Sequence, residues 1–374
     1  MTPRISFPSR PLLASALLLT MTAGAACSSE EDAPPDFGSG SSPEDGGSIL
    51  LPDGARVDPL PPGVDARPPE PDSGLPRPDA ELPPPPPGTG RVLYRNPDGF
   101  RLIPAKAGSA SALVAPMLNR ISPGSDGRMN MGADGTLVSE SSRFGCSDPC
   151  LAIYAPDLAS GERVLAAGQP VRNMRDVTPA VAGDGKIIVH GGRANHGADL
   201  YVTTKGAGGW SASRLITQSS THTYNFKPSV SADLSKVAFD CGNDPYAANG
   251  SNICEVNIDG TGFRTVLTPS SVGGRNTYSP AYARDGSLVF EGEASGEQIW
   301  RLRPGGPPVR INGAYSNDNT PCVLPNGKIA SLWLNRPGNP SGNHELKIMN
   351  ADGTGMEMLV TGVNIVDTGL GCGL

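Results

Sequence analysis

The residues of this 374-residue chain that could do chemistry are four histidines, seven cysteines and a recurring set of Asp, Asn and Thr side chains. His190 alternates with Ile188 at the end of a strand-like run, whereas His196, His222 and His344 fall in polar stretches. None forms a His-x-x-x-His pair or another metal-ligating spacing. The sequence has no Gly-x-Ser-x-Gly nucleophile turn and no phosphate-binding Gly-rich loop. A non-enzymatic protein is therefore expected. Cys27 stands apart near the N-terminus. The other six cysteines are Cys146, Cys150, Cys241, Cys254, Cys322 and Cys372. An even set in an exported domain suggests disulfides, and six cysteines allow fifteen pairings. Cys146-x-x-x-Cys150 has no His or second Cys pair near it in sequence, so no zinc site is expected.

The elements that must position these residues are repeats. Gly (48) and Pro (39) are abundant enough to argue against a helical bundle or a doubly wound α/β enzyme, because both need long runs free of breakers. Thr178 to Val189, Lys227 to Phe239, Ser279 to Phe290 and Thr320 to Ala330 share one pattern: a Pro, a short apolar run, a turn and a β-rich run. A weaker copy runs from Met129 to Val138. Pro179, Pro228, Pro280 and Pro321 are separated by 49, 52 and 41 residues. Each copy reads as a hairpin. A second hairpin follows each, turning at 158–162, 205–210, 259–262, 304–307 and 352–355. Four strands per repeat of about 40–50 residues is the signature of propeller blades. One further outer hairpin, preceded by a strand at 91–95, lacks an innermost strand, and residues 363–374 supply it. The expected fold is all-β: a six-bladed β-propeller closed by its N- and C-terminal strands, which leaves no exposed edge.

The repeat resembles that of TolB-type β-propellers. The matching features are Asp176 to Pro179 with Gly183 to Lys186, Asp318 to Pro321 with Asn326 to Lys328, and the closing Asp259 to Gly262 and Asp352 to Gly355 hairpins. The family's Ser-Pro before Asp-Gly is replaced here by Ala-Gly, Ser-Ala, Ala-Arg and Leu-Pro. The resemblance covers 91–374 and implies a fold more than a function, since this fold hosts many roles. Some peptidases carry a similar propeller, but their hydrolase domain has no counterpart expected here.

The blade scheme selects three disulfides: Cys146–Cys150 across a tight loop, Cys241–Cys254 between neighbouring strands of one blade, and Cys322–Cys372 between the innermost strands of the fifth inner hairpin and the closing blade. It also aligns the residue three before each repeat Pro. Asp126, Asp176, Asn225, Thr277, Asp318 and Thr368 would then ring the central channel mouth. Each could cap its own turn. Together they could receive a basic partner group or Ca2+.

Residues 1–26 read as an export signal, with Arg4 and Arg10 before a short apolar run at 12–21. Gly24-Ala25-Ala26-Cys27 resembles a bacterial lipobox, which implies acylation of Cys27, and Ser28 after it resembles the outer-membrane sorting pattern. Residues 27–90 form an acidic Pro-rich tether, with 13 acids against 3 arginines and 17 prolines between 28 and 90. Such composition does not bury a core, so disorder is expected. The acidity of the protein belongs to this tether. Residues 91–374 carry a net charge of only +1, so no nucleic-acid surface is expected. The resulting expectation is a monomeric lipoprotein of the bacterial outer membrane, facing periplasm or exterior, whose propeller binds a protein or peptide. The alternatives are a glycan- or polyphenol-active lyase or hydrolase and a structural surface protein.

Overall fold

A computed structural model describes residues 90–96, 99–116, 126–146, 150–156, 160–174, 177–244, 250–311, 317–334, 344–363 and 369–374. The export signal, Cys27 and nearly all of the tether lie outside them. The described residues are almost wholly β-strand, with one short 3-10 turn at Pro269–Val272.

The strands form six sheets. The first joins Arg91–Asn96, Gly99–Pro104 and Ala112–Pro116 to the C-terminal Gly371–Gly373. The second is Asp126–Met131, Leu137–Ser141, Cys150–Tyr154 and Gly161–Arg163. The fourth, fifth and sixth start at Tyr224–Val230, Thr277–Tyr282 and Asp318–Val323 and each adds three antiparallel strands in sequence order. Five sheets are therefore regular four-stranded blades, one fewer than the repeat count predicts. The third is a seven-stranded composite. Its strand Asp199–Gly206 turns back through Gly206 to Gly209 and pairs with both Gly209–Trp210 and Arg214–Leu215. Trp210 then pairs in parallel with Ala166, on the segment leaving the second sheet. The glycine-rich turn makes this extension, which a regular blade does not have.

Period-two alternation builds the core. In Lys236–Gly242, Val237, Phe239 and Cys241 pack toward the third sheet, while Ala238 packs toward the fifth. The same division holds in Ile187–Gly192, where Ile187 and Val189 face the fourth sheet and Ile188 the second. Six apolar clusters result, each between consecutive sheets, and one of them joins the sixth to the first through Leu332, Leu346, Val92 and Ile103. The sheets are thus bound in a circle. Each buried large side chain adds roughly 1.5–3 kcal/mol of apolar transfer.

Closure is direct. Arg91, Val92 and Leu93 pair antiparallel with Gly373, Cys372 and Gly371. A Cβ on Gly373 would lie 2.3 Å from the Gly132 carbonyl oxygen, so only glycine lets the closing strand lie against the second sheet.

The turns explain their own sequence. Asp134, Asp233, Asp285 and Asn326 each accept the backbone N–H two residues on, at 3.0–3.2 Å. The outer turns Asn257 to Gly262 and Asn350 to Gly355 are built alike: Asp259 and Asp352 each accept the N–H of the following Thr at 2.9 Å.

Candidate functional site: the axial waist

Three innermost strands contain a residue-Pro step: Lys227-Pro228, Ser279-Pro280 and Thr320-Pro321. Proline has no N–H to give to the ladder, and the pairing register shifts at each step, between 226 and 229, 278 and 281, and 319 and 322. Lys227, Ser279 and Thr320 adopt left-handed backbone angles, with φ of 46°, 50° and 46°. Such conformations cost about 1–3 kcal/mol each and cluster at functional sites. These bulges bring the three residues to the axis, where they line a narrow cavity of about 50 Å³ with Asn130, Thr178 and Leu370. A wider chamber of about 380 Å³ adjoins it, shares Asn130, Pro228, Pro280, Pro321 and Leu370, and is lined by Ala180, Ser229, Ala281 and Cys322.

Two buried acids hold two of the three bulges. Asp240 Oδ1 accepts the Ser279 N–H at 2.6 Å, and Glu291 Oε2 accepts the Thr320 N–H at 3.1 Å. Each acid sits on the second strand of one blade and caps the strained residue of the next. Lys227 extends between them. Its ammonium donates to Ser279 Oγ at 2.9 Å, lies 3.7 Å from Asp240 Oδ2, and sits 5.8 Å from the centre of the Tyr278 ring. Burial pushes Asp240 up to about 6, against the pull of Lys227 and the Ser279 N–H. Burial pushes Glu291 up to about 8; Lys227 opposes this, and the neighbouring Glu297 and Asp240 reinforce it. The waist therefore sets one lysine beside two buried acids whose protonated forms are both favoured by burial.

Of the six residues aligned three before the repeat prolines, Asn225, Thr277 and Asp318 have described side chains, and these three do not line the axis. All three are fully buried. Asn225 donates to the Ala198 carbonyl at 2.8 Å and accepts from Ser220 Oγ at 3.0 Å. Thr277 Oγ1 donates to the Ser251 carbonyl at 3.2 Å. Asp318 pairs with Lys347 at 2.6 Å, and the Lys347 ammonium lies 5.2 Å from the Trp333 ring centre. With its charge matched by Lys347, Asp318 has none to contribute to a Ca2+ ring. The bulge breaks the two-residue period, so the axis receives the residue directly before Pro and not the one two places earlier. Asp126 opens its strand with its backbone paired to Ser141. Asp176 and Thr368 lie outside the described residues.

All three disulfides have the expected partners: Cys146–Cys150, Cys241–Cys254 and Cys322–Cys372, with Cα separations of 6.0, 5.9 and 5.6 Å. His190 is buried, held down to about 4 by that burial, and bonded to Ser213 Oγ at 3.0 Å. His196 contacts Asp199 at 2.6 Å, and Asp199 also accepts the N–H groups of Ala194, Asn195 and His196.

Asp240 and Glu291 have no place among the sequence-derived candidates. Their signal is present: Val-Ala-Phe-Asp240 and Leu-Val-Phe-Glu291 put an acid at one position of an otherwise apolar strand in two consecutive repeats.

No protein-family model matches the sequence, and no curated protein sequence does. Solved structures do. TolB from Acinetobacter baumannii is 14% identical, with a TM-score of 0.55, over 76% of this chain and 67% of that one. A putative TolB from Agrobacterium tumefaciens is 18% identical over 74% of this chain and 82% of that one, with a TM-score of 0.41. A puromycin-hydrolyzing peptidase from Mycobacterium tuberculosis is 12% identical over 74% and 45%, at 0.46. The fold is a TolB-type β-propeller. At these identities the likeness is one of fold.

Proposed function

We propose that this protein is a cell-envelope lipoprotein, anchored through Cys27, whose propeller is a non-enzymatic scaffold that takes a protein segment at its axial waist. The composite third sheet fills one sector of a six-sector ring in this reading. The observation that carries it is Lys227: an ammonium on a left-handed bulge, lining a cavity that adjoins a chamber of about 380 Å³. Ser279 takes one of its three donors and Asp240 Oδ2 faces the ammonium at 3.7 Å. A carboxylate entering through the chamber, either the free C-terminus of a peptide or an Asp or Glu side chain, suits the remainder. Asp240 and Glu291 are engaged in holding backbone N–H groups, which favours a fixed binding frame over acid–base chemistry.

Fluorescence anisotropy with labelled peptides ending in a free carboxylate, or in an amide, tests the reading. Acid-ended peptides are expected to bind more tightly, and Lys227→Met to weaken them at least tenfold while leaving the amides unchanged. Equal binding of both series would refute it. The anchor has its own test: Cys27→Ala should move the protein from the membrane fraction to the soluble one, and unchanged membrane recovery would exclude acylation as the anchor.

A further inference from the structure

Among the described residues, one group of His, Cys and acidic side chains is close enough to hold a metal ion: His222, Cys241 and Cys254. Their ligand atoms all lie within 4.8 Å of one another. The elements that bring them together are three. Cys241 and Cys254 sit on the paired strands Lys236–Gly242 and Asn252–Asn257, and His222 is on the segment entering the same sheet. The cysteines are joined as a disulfide, and both are almost wholly buried. His222 Nδ1 is buried without a hydrogen-bond partner. Buried nitrogens are ordinarily satisfied, so this one calls for an explanation. Its ring is flanked by Phe263, with centroids 6.4 Å apart.

We propose that in the dithiol state His222, Cys241 and Cys254 form a three-coordinate site for Cu(I), which the disulfide closes. The donor set decides the metal. Two thiolates and one imidazole are soft to borderline ligands. Zinc takes four ligands, and no fourth His, Cys or acid belongs to the group. The neighbours of the sulfurs are the Asn252 carbonyl, 3.6 Å from Cys241, and the Thr265 hydroxyl, 3.8 Å from Cys254. Neither is a ligand that soft copper prefers.

The exchange balances. Binding to the dithiol releases two protons, one from each thiol. When a disulfide-bearing oxidant reacts with the copper-bound form, the two thiolates give up two electrons and form the Cys241–Cys254 bond. The oxidant takes those electrons with two protons, and its disulfide is cleaved to two thiols. Copper leaves unchanged as Cu(I). The site is therefore emptied by thiol oxidation and not by copper oxidation.

The test uses the full-length protein, reduced with a phosphine, freed of reductant without oxygen, and titrated against the Cu(I)–bicinchoninate complex. The reduced wild type should withdraw one equivalent of Cu(I) more than Cys241→Ser with Cys254→Ser reduced in parallel, because the phosphine also opens Cys146–Cys150 and Cys322–Cys372 in both; the oxidised protein should withdraw none. His222→Ala should weaken binding at least tenfold. Glutathione disulfide should return the copper to the chelator. Equal uptake by the double serine variant would overturn the site, and unchanged affinity in His222→Ala would remove the histidine from it. Should the serine variant fail to fold, the copper K-edge of the loaded wild type decides. Two sulfurs and one nitrogen support the proposal, and any other shell overturns it.

Discussion

Two sites among the described residues show how a buried charge is neutralised, one by a partner and one by a proton. Lys347 and Asp318 neutralise each other out of contact with solvent. Removing one partner leaves an uncompensated charge, so Lys347→Met should cost about 3–5 kcal/mol in urea unfolding. Adding Asp318→Leu should recover most of that loss, whereas no recovery would show that the pair is not coupled. Glu291 uses a proton. Its folded pKa of about 8 exceeds the unfolded carboxylate value near 4.5, so the native state binds the proton more tightly. Its contribution is complete below the unfolded value and declines as pH rises toward about 8. Every tenfold difference in proton affinity between the two states is worth about 1.4 kcal/mol, so the decline amounts to a few kcal/mol at order of magnitude. Glu291→Gln cannot titrate. Its melting temperature should therefore fall less than that of the wild type between pH 5 and pH 8, and parallel melting curves would contradict the assignment.

The decisive element is the bulged inner strand. Proline breaks the ladder, the preceding residue turns left-handed, and an acid from the neighbouring blade caps the exposed N–H. Thr320 is β-branched at φ 46°, where only glycine is free of steric cost. Thr320→Gly should therefore stabilise the protein by about 1 kcal/mol despite the entropy cost of glycine. It should also leave the Glu291 cap in place, because that bond uses backbone. A loss of stability on chemical denaturation would show that the threonine hydroxyl matters more than the strain. Each strand also faces two interfaces at once. Phe239, buried between the third and fourth sheets, should cost about 3–5 kcal/mol when replaced by alanine.

At the scale of the whole domain, the described residues form a circle of sheets, and its stability depends on the seam between first and last strands. The three disulfides close segments of very different length, with sequence separations of 4, 13 and 50. Loop-closure entropy makes the longest closure the most stabilising, about 4 kcal/mol for Cys322–Cys372 and about 2 kcal/mol for Cys146–Cys150. Paired Cys→Ser variants should lose stability in the order of those separations. A Cys146→Ser, Cys150→Ser protein less stable than Cys322→Ser, Cys372→Ser would break the entropic account. Gly373→Val should open the same seam by collision with the Gly132 carbonyl, visible as faster amide exchange in Arg91–Leu93.

Periodicity alone determined the strands, the all-β propeller and its closure, because alternation and turn residues are local and recur with each repeat. The disulfide partners followed once the strands were ordered, since pairing depends on which innermost strands are neighbours. Three things were decided only in three dimensions. Lys205 to Trp210 reads as an ordinary outer hairpin, but the capture of Ala166 by Trp210 joins segments 44 residues apart and makes a composite sheet. The axial residues were displaced by two positions, from Asn225, Thr277 and Asp318 to Lys227, Ser279 and Thr320. A uniform strand period carries no record of a bulge, and whether a proline bends a strand depends on what the next blade offers its neighbour. Asp240 and Glu291 make that offer from another sheet, and the Cys241–Cys254–His222 cluster likewise arises only when a loop folds over a strand pair.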